Sequence, residues 1–185
     1  HVKMSSLKPE EENYLKAFFN SEIRPIISPQ VVDKRHPFPF LKNKDIYAIT
    51  HLESKNSVKL GIIPANGSFP RMIILPDKER LRFVLAEEVI LRYCNSVFEN
   101  YRIIDKALIR ITRNADINME EALYDHDVDL RQVMEELLKK RKKLSPVRLE
   151  IYGCLNNEAE KFLCHNLELH EHQISRCKAP LDMSF

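Results

Sequence analysis

The sequence predicts an α+β domain, a mixed and largely antiparallel sheet covered by helices. Two observations predict it. Short runs rich in β-formers cluster at 45–53, 58–64, 71–76 and 81–86, with turn residues between them. Apolar stripes at helical spacing lie before and after that cluster. At 185 residues the chain suits one ordinary domain. We divide it into an N-terminal helix with its connector, 1–30, and a single α+β unit, 31–185.

The first helix is expected over 9–24. Pro9 fits a first turn, and Glu10, Glu11 and Glu12 suit the positive end of the helix dipole. Leu15, Phe18, Phe19, Ile23 and Ile26 form one apolar stripe, and Pro25 and Pro29 stop it. An extended connector follows, through "RHPFPFL" at 35–41. His36 and Phe38 each precede a proline, which pushes both toward extended backbone. We read the segment as a strut joining the first helix to the sheet, with Phe38 and Phe40 buried on similar sides. Its P-x-P spacing disfavours a PxxP groove ligand.

The four β-rich runs read as an antiparallel meander. "AEEVILRYCN" at 86–95 reads as a helix and "IIDKALIRITR" at 103–113 as a strand. The acidic run "NADINMEEALYDHD" leads into a helix expected over 127–142, with Leu130, Val133, Met134, Leu137 and Leu138 at helical spacing. "PVRLEIYG" alternates cleanly as a strand. A helix over 157–167 and a last strand around "HQISRCK" complete the chain.

Composition excludes several classes. Hydrophobic residues make up 44% and charged residues 30%, which places the chain among folded globular proteins. The net charge of +2 selects no polyanionic partner, and no nucleic acid is expected. No apolar run reaches membrane-helix length. Cys94, Cys154, Cys164 and Cys177 are scattered without a CxxC pair, as reduced thiols of a cytoplasmic protein would be. Three glycines cannot build a phosphate-cradling loop, and neither a Walker motif nor GxGxxG occurs. A start at "HVKMSS" reads as a segment cut from a longer polypeptide.

The candidate chemistry is sparse. Asp125, Asp127, Asp129 and Glu136 fall at calcium-loop positions, but Leu130 stands where the loop needs glycine. Cys164, His165, His170 and His172 invite a metal, yet Cys164 and His170 are not at helical spacing, and no metal site is expected. The basic run at 139–143 spreads around a helix and suits its C-terminus. In "RITRNAD", Arg110 and Arg113 are the anion-contact candidates. On an extended strand they point to opposite faces unless a bulge intervenes, which disfavours a shared phosphate fork. Pairing of one of them with Asp116 or a helix carboxylate is the structural alternative. No nucleophile–base constellation can be assembled from the seven histidines.

Five motifs in register carry a family resemblance. "RHPFPFL" resembles an Arg/His-Pro-Phe-Pro-Phe-Leu segment, and "FVLAEEVI" at 83–90 resembles Phe-x-Pro-Leu-Glu-Glu-Val-Ile. "RITRNAD" at 110–116 resembles Arg-Val-Thr-Arg-Asp-Ala-Asp. "EELLKKRKKLSPVRLEI" resembles a Glu-Glu-Leu helix with a basic end followed by Val-Arg-Leu-Glu-Val, and "KAPLDMSF" resembles a closing Gly-Pro-Leu-Asp-Leu. The pattern is similar to the middle, or head, domain of bacterial polyphosphate kinase. It covers nearly the whole chain, and Leu85 departs from it where proline is common. The resemblance implies a fold like small phosphohistidine phosphatases. It implies a parent enzyme that moves the terminal phosphate of ATP to polyphosphate through a phosphohistidine, with magnesium. The family's phosphorylated histidine, phosphate-gripping arginines and ATP tunnel belong to domains that this segment does not match, so no catalytic residue is expected here. The implied role is architecture and homo-oligomer contact beside the parent's other domains. The alternative is an accessory site for ATP or polyphosphate.

Overall fold

The computed structural model describes residues 1–54, 57–77, 80–114 and 145–183. The expected helix over 127–142, its acidic approach with the alternating aspartates, Asp116 and the basic run at 139–143 lie outside the described residues.

Helix α1, Pro9–Phe18, begins as its sequence requires. Pro9 sits in the first turn, and the Lys8 N–H donates to the Glu11 carboxylate at 2.7 Å. Its last turn widens into a π-type turn, Phe19–Ile23. Leu15, Phe19 and Ile23 are fully buried. Ile26, expected in the same stripe, is 47% exposed, because the helix has ended before it and Pro25 prevents its continuation.

The connector holds a strand that the sequence did not suggest. Strand β1, Gln30–Val32, runs antiparallel to β3, Lys59–Pro64, which forms a hairpin with β2, Ile46–Leu52. "RHPFPFL" therefore joins two strands of the sheet rather than helix to sheet. Strand β4, Met72–Ile74, and β5, Phe83–Leu85, pair, among the described residues, only with each other, in a separate two-stranded sheet. The expected four-strand meander thus splits in two. The reason is edge occupancy: β2 gives its second edge to β6, Ile103–Arg113, and β1 takes the second edge of β3.

Strand β5 runs directly into helix α2, Ala86–Tyr93, where the Leu85 N–H donates to Glu88 at 3.4 Å. A proline at 85 has no N–H to give, so the departure from the family pattern changes how this helix starts. Strand β7, Pro146–Cys154, pairs antiparallel with β6, and β8, Ile174–Cys177, pairs parallel with β7. The intervening helix α3, Asn157–Leu167, provides the crossover that a parallel pair needs. The sheet order is β1-β3-β2-β6-β7-β8, mixed and largely antiparallel.

Both faces of the sheet are covered. Ile46, Ala48, Leu52 and Leu108 join α1, α2 and the β4–β5 pair in one core. Tyr47, Ile49, Ile109, Ile111, Leu149 and Ile151 join α3 residues Ala159, Leu163 and Leu167 in the other. All seven residues of β2 are consequently buried, and its binary alternation disappears.

Candidate functional site

The two arginines of "RITRNAD" face opposite ways, as the strand geometry requires. Arg110 pairs across the ladder with Glu150, its Nε donating at 2.9 Å, and its Nη1 lies 4.0 Å from Asp182. Asp182 also receives Arg71, through its carbonyl at 2.7 Å and its carboxylate at 3.4 Å. Arg71 in turn grips the buried Glu87 with Nε and Nη2, at 3.1 and 2.7 Å. Arg148 reaches Glu150 at 3.5 Å. Three guanidiniums and three carboxylates therefore form one connected set whose formal charges cancel. It fastens the segment after β8 to β6, β7 and the start of α2.

Arg113 is buried on the other face, 9% exposed; the register shift between Thr112 and Arg113 puts the extra residue, Val147, on β7, so β6 keeps its alternation. Its Nε donates to the Leu41 carbonyl at 2.8 Å, its own N–H donates to Asn43 at 2.9 Å, and its guanidinium lies 4.3 Å over the Phe40 ring. Burial draws its pKa down. This contact revises the strut expectation. Leu41 is the buried anchor, Phe38 is partly buried against the core, and Phe40 is 48% exposed with one face on Arg113. The carbonyl of Leu41 and the ring of Phe40 receive this cation together.

The metal candidates are not brought together. Among the described residues no group of three or more His, Cys, Asp or Glu side chains could hold an ion. His170 stacks on His172 at 5.7 Å between ring centroids. Burial pushes the Cys164 thiol up to about 11, so it is not a thiolate at neutral pH. All four cysteines are free, but only Cys94 is buried, whereas the sequence suggests mostly buried thiols; Cys154 is exposed and Cys164 and Cys177 are half-buried.

Sequence reading missed two polar groups. One is Glu11, 1% exposed, which accepts two bonds from Arg82 at 2.7 and 3.1 Å; that partner is the main cause holding its carboxyl below the usual range. The other joins β2, β6 and α3. The Asn156 side-chain Nδ2 lies 2.8 Å from His51 Nδ1, its backbone N–H donates to Asp105 at 3.1 Å, and its Oδ1 accepts from Ala159 N–H at 2.9 Å. The one sequence signal for the second group is "NNEAE", an asparagine placed to cap a helix. His51 and Asp105 carried no such signal.

A family model for the polyphosphate kinase middle domain matches residues 10–185. The chain belongs to the polyphosphate kinase middle-domain family. The polyphosphate kinase of Exiguobacterium sibiricum is 32% identical over 189 residues, covering all of this chain and 26% of that protein. That of Mycobacterium leprae is 31% identical over 198 residues, covering 99% and 26%. The middle-domain chain thus spans about a quarter of the length of the curated relatives it matches. The crystal structure of polyphosphate kinase from Porphyromonas gingivalis shares the fold over 95% of this chain and 24% of that one, with a TM-score of 0.68 at 20% identity. In this middle domain, the arginines of the family-like "RITRNAD" segment are thus held by partners of the same chain.

Proposed function

We propose that the chain is an architectural and dimerising domain of a polyphosphate kinase, with no chemistry of its own. The parent would transfer the terminal phosphate of ATP to polyphosphate through a phosphohistidine on other domains, with magnesium, in the cytoplasm. The observation that carries this reading is the neutral arginine–carboxylate set. Arg110, the more accessible of the two anion candidates, already holds Glu150 and lies beside Asp182. Arg113 is turned into the opposite face against Leu41 and Phe40. An accessory ATP or polyphosphate site built on this pair would need both to leave those contacts, so the architectural reading is favoured. Among the described residues no helix is long and apolar enough to cross a membrane.

Two measurements test the proposal. Light scattering over a range of concentrations is expected to show a dimer; a monomer at every concentration would count against the dimerising role. Incubation with ATP labelled at the terminal phosphate, plus magnesium, is expected to leave no acid-labile phosphate on the chain. Stoichiometric label on a histidine would overturn the non-catalytic reading.

A further inference from the structure

The group around His51 suits binding. Asn156 Oδ1 is committed to the Ala159 N–H, so its amide turns Nδ2 toward His51 Nδ1 and donates there. Nδ1 is thus the acceptor, and the neutral ring carries its proton on Nε2. The His51 side chain is 5% exposed, it lines a cavity of about 660 Å³ between α3 and the β2–β3 hairpin, and its Nε2 has no hydrogen-bond partner among the described residues. Lys34, Ser54, Ser57, Lys161 and His165 line the same cavity. Among the described residues neither lysine forms an ion pair, whereas Arg24, Arg71, Arg82, Arg92, Arg110 and Arg176 all do.

We propose that this cavity binds a phosphate-type oxyanion, held by the His51 Nε2–H, Lys34, Lys161 and His165, with Ser54 and Ser57 as hydroxyl donors. Lys34 and Lys161 outnumber the one carboxylate that lines the cavity, Glu158. The second nearby carboxylate, Asp105, lies on the Nδ1 side of His51, at 3.8 Å, and accepts the Asn156 N–H through Oδ2. Its Oδ1 is buried without a partner among the described residues. His51 is not a general base in this arrangement, because Nε2 carries the proton that it would have to lack. A preset N–H donor that shares a cavity with two lysines is instead suited to an acceptor-rich anion. The site does not depend on the dimerising role.

The test is calorimetric titration of the whole chain with inorganic tripolyphosphate at low salt, with orthophosphate and ATP as parallel arms. We expect saturable binding of an inorganic phosphate, weakened about threefold or more by Lys34→Gln and by Lys161→Gln. Lys16→Gln, an equal charge change on α1 across the sheet, should leave affinity unchanged. Stronger binding of tripolyphosphate assigns a phosphate chain, and stronger binding of orthophosphate a single group. Nitrogen-detected imidazole spectra should show the His51 proton on Nε2 and a shift of that resonance on binding. No saturable heat at low salt, equal weakening by Lys16→Gln, binding of ATP alone, or a His51 proton on Nδ1 would each overturn the proposal.

Discussion

Glu88 carries the clearest pH signature of any single residue. Its side chain is 7% exposed, it stands next to Glu87, and burial is the largest cause that raises its pKa from 4.5 to about 7. Between those values the folded chain binds a proton that the unfolded chain has released. Stability therefore falls as pH rises from about 4.5 to 7, because burial outweighs the 2.8 Å contact of Glu88 with His1 Nε2. Glu88→Gln should stabilise the fold by roughly 1–3 kcal/mol at pH 8, with the gain vanishing near pH 4.5. Urea denaturation of both forms across that range measures it; a constant difference at every pH would sink the assignment. Arg113 gives a second residue-scale prediction. Lysine cannot reproduce a guanidinium that donates to Leu41 and lies on Phe40. Arg113→Lys should cost about 1–2 kcal/mol. A double-mutant cycle with Phe40→Ala should show coupling of about 0.5–1 kcal/mol.

At the scale of elements, two positions control how neighbours fit. Gly61 in β3 has no room for a methyl group: a Cβ there would meet Thr50 Oγ1 at 2.4 Å and the Phe98 ring at 2.5 Å. Phe98 is itself in the core. Gly61→Ala should cost about 1–3 kcal/mol through forced displacement of that ring. A stability equal to the parent's in chemical denaturation would show that the ring has space to move. Helix α3 depends on Asn156, whose side chain caps it while facing His51. Asn156→Ala should lose about 1 kcal/mol for the cap. Amide exchange should report it as faster opening in the first turn of α3, with α1 unaffected.

At the scale of the molecule, one sheet is shared by two cores. Leu15, Phe19 and Ile23 belong to the same core as Ile46, Leu52 and Leu108. Deleting residues 1–24 removes these three fully buried side chains, each worth about 1.5–3 kcal/mol of burial. A typical domain has about 5–15 kcal/mol in all. The shortened chain is expected to lose its cooperative unfolding transition, followed by circular dichroism in urea; an intact transition would show that the helix is an appendage. Asp182 closes the molecule in a comparable way, through Arg71 and Arg110.

The sequence by itself determined the α+β class, the order of most elements and the family, because these depend on local pattern and on motifs in register. Proline and glutamate placed α1, the alternation in "PVRLEIYG" placed β7, and strand periodicity set Arg110 and Arg113 on opposite faces. Tertiary structure alone decided what each strand pairs with and what each charge meets. Strand β1 exists because β3 offers a free edge, and β4–β5 stand apart because β2 offers none. Phe40 stays half exposed, with one face covered by Arg113 rather than by the core. His51, Asp105 and Asn156 are separated by about fifty residues at each step, so no local pattern announces them. Hydrogen bonds and ion pairs of this kind depend on distances of a few ångströms between remote residues, and those distances are fixed only when the sheet has assembled.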